Sequence, residues 1–226
     1  MRRHRVVAVV AAHNEQDTIG AAVAALKAMD DVGEVVVVVD GSVDGTAGEA
    51  AAAGARVLAT ARRRGKGAAI EAALDVAADA DVYLLVDGDV GASASEAKPL
   101  LDAVRRGEAD LAVGVLPPQA GGGFSLVQRL AAFLIRRLSG FEAVAPLSGQ
   151  RAARRETLQA CRPLATGFGV ETAMTIDAAR LGHRILEVDV DMTHRPTGRG
   201  FSGFLHRGGQ AVDILRAVLP RAVRLR

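Results

Sequence analysis

Five consecutive valines, Val35 to Val39, run straight into Asp40-Gly41-Ser42. A β-branched run this short, with no polar face, suits a strand buried on both sides far better than a helix. The pattern recurs at Arg5 to Ala11, at the shorter Ala55 to Ala59, and at Val82 to Val86 with Tyr83 inside it. Alanine-rich segments with helical spacing separate these runs, at Asp17 to Met29, Asp44 to Ala53 and Gly67 to Ala78. Parallel strands need a crossover, and a crossover helix packs back onto the sheet, so alternation of this kind builds a parallel sheet with helices on both faces. The expected class is α/β, with a Rossmann-like, mostly parallel sheet. A helix from Ser95 to Arg106 and a fifth strand from Asp110 to Val115 extend it.

Beyond position 115 the grammar changes. Pro117 to Gly123 is a loop by composition, and Leu126 to Leu138 reads as an amphipathic helix with Arg129, Arg136 and Arg137 beside Leu130, Phe133 and Leu134. A helix from Val170 to Leu181 stops at Gly182, and Arg184 to Val190 returns as a strand. Thr193 to Gly203 is a loop rich in Gly, Arg and Pro, after which the chain is helical until Pro220. No repeat or linker divides the chain, so residues 1–226 read as one domain.

Composition excludes several classes. A net charge of +2 and 3% aromatic residues leave neither a basic footprint nor a stacking platform for nucleic acid. Cys161 is the sole cysteine and cannot form an internal disulfide, which fits a reducing compartment. No stretch nears the roughly 20 apolar residues of a spanning helix. The basic Met1 to Arg5 and apolar Val6 to Ala12 look like a leader, but His13-Asn14-Glu15 follows with no cleavage pattern, so a first strand and a cytoplasmic chain are expected. From Arg199 onward six arginines stand against Asp213 alone. Such a tail suits an acidic membrane surface at the inner face, a phosphorylated acceptor, or simply a solvated terminal helix.

In open α/β sheets ligands bind at the carboxyl ends of the strands. Three polar clusters fall there: His13-Asn14-Glu15, Asp40-Gly41-Ser42-Val43-Asp44-Gly45-Thr46, and Asp87-Gly88-Asp89. Asp87 and Asp89, separated by one glycine, can face one hard cation; Mg²⁺ takes one or two carboxylates and completes its shell with phosphates and water. Such an ion neutralises charge on a departing diphosphate. Arg62-Arg63-Arg64-Gly65-Lys66-Gly67 precedes a helix and offers an anion site, although it is not a triphosphate-binding loop because the G-x-x-x-x-G-K-[ST] spacing is missing. Nor does the first strand lead into G-x-G-x-x-G, which counts against a dehydrogenase.

Ala11-Ala12-His13-Asn14-Glu15, Asp40 to Thr46, Gly65-Lys66-Gly67, Asp87-Gly88-Asp89, Ser148-Gly149-Gln150-Arg151 and Gly167-Phe168-Gly169-Val170-Glu171 occur in an order that resembles family 2 glycosyltransferases of the GT-A fold. The chain resembles the soluble domain of polyprenyl-phosphate sugar synthases, and its second half also resembles glucosyl-3-phosphoglycerate synthases at Gly169-Val170-Glu171 and His194-Arg195. The resemblance implies a metal-dependent hexosyltransferase using a nucleotide sugar, UDP-glucose or similar, with Mg²⁺ or Mn²⁺. Residues 1–115 would bind the donor, and residues 116–226 the acceptor, a lipid phosphate or a small molecule.

It also implies roles. Ala12, His13 and Glu15 would lie against the nucleoside, with Asp40 taking the base or ribose contact that an acid makes one residue earlier in relatives, where Val39 stands here. Lys66 would lie near the base or diphosphate, and Gly149 would belong to the donor site. Asp87 and Gly88 would sit at ribose or metal-bound water, and Asp89 and His194 would ligate the metal. Glu171 would stand near the transferred sugar or serve as base on an acceptor hydroxyl. The Leu116 to Gly123 stretch lacks the basic character expected for phosphoglycerate. For the amphipathic segments Leu126–Leu138 and Gly203–Leu219 the choice is between a membrane surface, a homodimer contact and ordinary packing. Two other function classes compete, a sugar nucleotidyltransferase and a non-catalytic sugar-nucleotide sensor. The first expects a glycine- and arginine-rich signature after the first strand, where Ala12 to Glu15 stand instead.

Overall fold

The structure, a computed structural model, describes residues 4–117, 126–193 and 212–222. Its strands are β1 (Val6–Ala12), β2 (Glu34–Asp40), β3 (Arg56–Thr60), β4 (Val82–Asp87), β5 (Leu111–Val115), β6 (Arg151–Arg154) and β7 (Ile185–Asp189). Its α-helices are α1 (Ile19–Lys27), α2 (Thr46–Ala52), α3 (Lys66–Val76), α4 (Lys98–Arg105), α5 (Leu126–Ser139), α6 (Arg155–Ala160), α7 (Val170–Arg180) and α8 (212–222). All seven strands form one sheet in the order β3-β2-β1-β4-β6-β5-β7.

The β-branched runs are buried on both sides, as their composition requires. Val35, Val37 and Val39 face the layer of α1 and α4, while Val36 and Val38 face that of α3 and α7. β1 divides the same way, with Val6, Ala8, Val10 and Ala12 toward one layer and Val7 and Val9 toward the other. Polar substitution anywhere in these runs would strand a polar group in a close-packed interior.

Three local expectations are corrected. β6 was not legible: Arg-Ala-Ala-Arg has no β-branched residue, yet it sits antiparallel between β4 and β5, pairing Leu85 with Arg151 and Val113 with Arg151. Pairing on both edges overrides weak intrinsic propensity. The helix expected from Ser95 is instead a 3-10 stretch, Gly88–Ala97, followed by α4, because Gly91 takes a φ of 54° that breaks regular helix. And α8 runs on through Pro220 to 222.

Three helices of the second half, α5, α7 and α8, pack together. Ile214 and Val218 of α8 join Val127, Ala131 and Ile135 of α5 and Ile176 of α7 in a separate apolar cluster. The buried sides of α5 and of α8, the described part of the second amphipathic segment, thus cover one another and α7. Leu126, Phe133, Leu215 and Leu219 remain exposed on the outer sides of α5 and α8. Among the described residues, no helix is long and apolar enough to cross a membrane.

Candidate active site

Parallel register sets three strand ends level: Ala11 of β1 lies opposite Asp87, Ala12 opposite Val39, and Asp40 opposite Thr60. The three polar clusters therefore meet at one sheet edge, as expected from the sequence. They are also cross-linked. The Nδ1 of His13 donates to the Asp40 carbonyl at 2.8 Å, and the Asn14 amide N–H donates to Ser42 Oγ at 3.0 Å. Val43 N–H returns a bond to Asn14 Oδ1 at 3.0 Å, and Glu15 N–H donates to the buried Thr46 hydroxyl at 2.8 Å. Asn14 takes a φ of 56°, a left-handed turn that asparagine tolerates. These bonds fix the loops after β1 and β2 as a unit, with Ala12 buried beneath them.

Asp40 ties the end of β2 to the turn that enters α3. It is buried, and its two oxygens accept the N–H groups of Arg64 and Gly65, each at 2.7 Å, and the Thr60 hydroxyl at 3.1 Å. Both oxygens accept bonds from the 60–65 segment, so Asp40 braces the 62–65 turn. The side chains of Arg62, Arg63 and Arg64 are exposed on that braced turn, which leads directly into α3.

Lys66 opens α3, and the structure brings it to two acids from distant parts of the chain. Its Nζ pairs with Asp87 Oδ1 and lies 2.7 Å from Glu171 Oε1. Burial would lower the ammonium's pKa, but attraction to Asp87 and Glu171 outweighs it and holds Lys66 charged above its ordinary value. Glu171, in the first turn of α7, is 7% exposed. Asp87 is clamped from its other side by the fully buried Gln150: its N–H donates to Gln150 Oε1 at 3.2 Å and its Oδ2 accepts from Gln150 Nε2 at 2.9 Å. Gly149 makes room for this arrangement, since a Cβ there would lie 2.2 Å from Lys66 Nζ and 2.3 Å from Asp87 Oδ2.

Gly88 is buried with its carbonyl held by Thr18 Oγ1 at 2.9 Å, and Asp89 follows half-buried in the 3-10 stretch. Ser93 in that stretch accepts the Thr193 N–H at 3.0 Å, which tethers the residue just before His194 beside the segment carrying Asp89. His194 itself lies outside the described residues. Among those described, no cluster of three His, Cys, Asp or Glu side chains is arranged around a cation. The donor set fits Mg²⁺ or Mn²⁺ held by one or two carboxylates with phosphate and water completing the shell, and does not fit an all-protein cage.

Gln150 and Thr18 are supporting residues that spacing did not single out. Both are ordinary polar residues whose importance comes from what folds against them.

Comparison with known proteins follows the same lines. The sequence model described as "Glycosyl transferase family 2" matches residues 7–162. The chain is 30% identical over 194 residues to Glycosyltransferase AglJ of Haloferax volcanii, covering 82% of this chain and 62% of that one. It is 28% identical over 210 residues to the undecaprenyl-phosphate mannosyltransferase of Micrococcus luteus, covering 86% of each. In fold it is similar to glucosyl-3-phosphoglycerate synthase from Mycobacterium tuberculosis in complex with Mn²⁺, UDP-glucose and phosphoglyceric acid, with a TM-score of 0.80 and 28% identity over 96% of this chain and 79% of that one. The family model spans well over half of the chain, and the chain belongs to glycosyl transferase family 2.

Proposed function

We propose that the protein is a metal-dependent hexosyltransferase that moves a sugar from a UDP-sugar, UDP-glucose or similar, to a polyprenyl phosphate or a small acceptor. The observation that carries this reading is the meeting of Asp87, Lys66 and Glu171 at the end of β4, beside Asp89. In this reading residues 1–115 hold the donor and residues 116–226 the acceptor. Ala12, His13 and Glu15 border the nucleoside, and Asp40 shapes that border by bracing the 62–65 turn. Asp89, with Asp87 and His194, holds Mg²⁺ or Mn²⁺, which when bound offsets charge on the departing diphosphate. The tether of Thr193 to Ser93 supports the place given to His194.

Lys66 is positioned to bind the diphosphate. A cation at the positive end of a helix is disfavoured by the helix dipole, and here two carboxylates offset that cost. Transfer breaks the bond between the sugar's C1 and the β-phosphate oxygen and forms one from C1 to the acceptor oxygen. For a hydroxyl acceptor, Glu171 Oε1 receives the proton released; a phosphate acceptor is already an anion and needs no base. The exposed Leu126, Phe133, Leu215 and Leu219, with exposed Arg129, Arg136, Arg137 and Arg216 on the same two helices, support a lipid phosphate presented at an acidic membrane surface. The likeness to an undecaprenyl-phosphate mannosyltransferase supports the same acceptor class.

A thermal-shift panel of nucleotide diphosphates and their sugars, with and without Mn²⁺, tests the donor site. Ligands that bind only the folded chain raise its melting temperature. The expected result is a Mn²⁺-dependent shift with UDP that Asp89→Ala abolishes, with donor turnover in the unaltered chain. Binding without turnover would favour a sensor, and no metal-dependent shift would remove the proposed site. Flotation with anionic vesicles tests the acceptor surface, where failure to bind would leave the small acceptor.

A further inference from the structure

Arg151 is the largest side chain completely enclosed by this fold, at 1% exposure, and it carries a charge. It lies at the start of β6, between Leu85 of β4 and Val113 of β5, both of which belong to the apolar layer beneath α7. Burial pushes its pKa down, and the negative charges of Glu171, then Glu187, oppose that most strongly. No carboxylate pairs with it directly among the described residues, and its Nη2 has no hydrogen-bond partner among them. Taking a guanidinium out of water into such a place carries a large desolvation penalty that two hydrogen bonds to neutral groups offset only in part. Stability therefore does not account for the charge.

Its hydrogen bonds do. Arg151 Nε donates to the Ser148 carbonyl at 2.8 Å, and Nη1 donates to Thr175 Oγ1 at 3.0 Å. The Thr175 hydroxyl passes its own hydrogen to the Glu171 carbonyl at 2.9 Å. Ser148 begins the turn through Gly149 and Gln150, whose amide clamps Asp87 on both the N–H and a carboxylate oxygen. The far side of that turn is fixed by Glu187, which accepts the N–H groups of Val144 at 2.9 Å and Ala145 at 2.7 Å. One buried side chain thus joins the turn that holds Asp87 to the helical turn that carries Glu171.

We propose that Arg151 is a positioning residue for sugar transfer, a fixed buried cation that sets the separation of Asp87 and Glu171 through the Ser148 carbonyl and Thr175. It rests on the reading of those two acids as reaction machinery. Small misplacements at a reacting centre are costly, since a shift near 1 Å can lower rates about a hundredfold. The effect is largest in kcat and smaller in donor binding, because the loops after β1 and β2 that border the nucleoside do not run through Arg151, whereas the Gln150 clamp on Asp87 does.

The test uses the full chain with Arg151→Met and Arg151→Lys, measured by thermal unfolding, by the UDP–Mn²⁺ thermal shift, and by steady-state donor turnover. Arg151→Met is expected to melt somewhat lower, having lost two buried hydrogen bonds, and to keep most of the nucleotide shift, with donor KM within about threefold and kcat down roughly ten- to a hundredfold. Arg151→Lys, which keeps the charge and one bond, is expected to regain part of that kcat. Unaltered kcat in Arg151→Met overturns the proposal, as does a fall in kcat that follows melting temperature and is no smaller with lysine. If Arg151→Met does not fold, Thr175→Val cuts the link while keeping the charge, and unaltered kcat in that variant overturns the proposal equally. A parent chain with neither turnover nor a metal-dependent nucleotide shift overturns the functional reading itself, and this inference with it.

Discussion

At the scale of single residues, the site is held by charges that would be unfavourable apart. Lys66 stands at a helix N-terminus, and Asp87 and Glu171 would repel each other without it. Lys66→Met is expected to lower stability by roughly 3–5 kcal/mol, the usual cost of removing one member of a buried pair, and to lower donor affinity as well. Chemical denaturation and the nucleotide thermal shift check both effects. Gly149→Ala acts on the same pair by sterics, since its Cβ would overlap Lys66 Nζ and Asp87 Oδ2. Overpacking of this kind typically costs about 1–3 kcal/mol, and here turnover should fall further than stability because the displaced groups are the reactive ones. Comparing kcat with the denaturation midpoint decides it. Cys161 is a contrasting case: burial pushes its thiol up to about 12, so it is expected to resist alkylation in the native state, as a thiol-reagent time course would show.

At the scale of elements, the site depends on a helix far from it in sequence. Gly169 lies just before α7, and a Cβ there would sit 2.4 Å from Ala217 Cβ and 2.7 Å from the Asp213 carbonyl oxygen of α8. The two helices approach closely, and Arg221 of α8 ties them by donating from Nε to Asp177 at 2.8 Å. Gly169→Ala is therefore expected to loosen α8, costing about 1–3 kcal/mol and speeding proteolysis near the C-terminal helix before the core unfolds. Limited proteolysis with mass mapping checks it. The amphipathic pattern of α5 and α8 was legible in the sequence, but the partners of their inner sides were not: a stripe of this kind can meet lipid, a second copy or a neighbouring helix, and tertiary packing sets Val127, Ala131 and Ile135 against Ile214, Val218 and Ile176. β6 illustrates the opposite limit. Four residues of Arg and Ala carry no strand signal, and their place follows from the gap between β4 and β5.

At the scale of the whole molecule, the start of β5, the end of β6 and the chain entering β7 are fastened by one acid. Asp110 accepts from Arg184 Nε at 3.1 Å and Nη2 at 2.8 Å, and lies 3.3 Å from Arg154 Nε. Hydrogen bonding from Arg184 outweighs burial and lowers its pKa from 3.8 to about 2. Because the folded value lies below the unfolded one, this stabilisation is complete above about pH 4 and is lost as pH falls toward 2. Its size is about 2 kcal/mol at low ionic strength, and less in high salt because Arg184 is largely exposed. Asp110→Asn should remove that part of the acid dependence, as urea midpoints between pH 5 and 2 would reveal.

The sequence alone determined the alternation of strands and helices and the sheet edge at which His13, Asp40 and Asp87 gather. Both follow from local periodicity: β-branched runs must be buried, and parallel strands must end on the same side. Only the tertiary structure decided what each acid does there. Asp40 turned inward to brace a turn, Lys66 met Glu171 from 105 residues away in the chain, and Arg151 became a buried link between them. No local pattern encodes such pairings, because a side chain's role is set by the groups that desolvate and bond it, and those arrive from elsewhere in the chain.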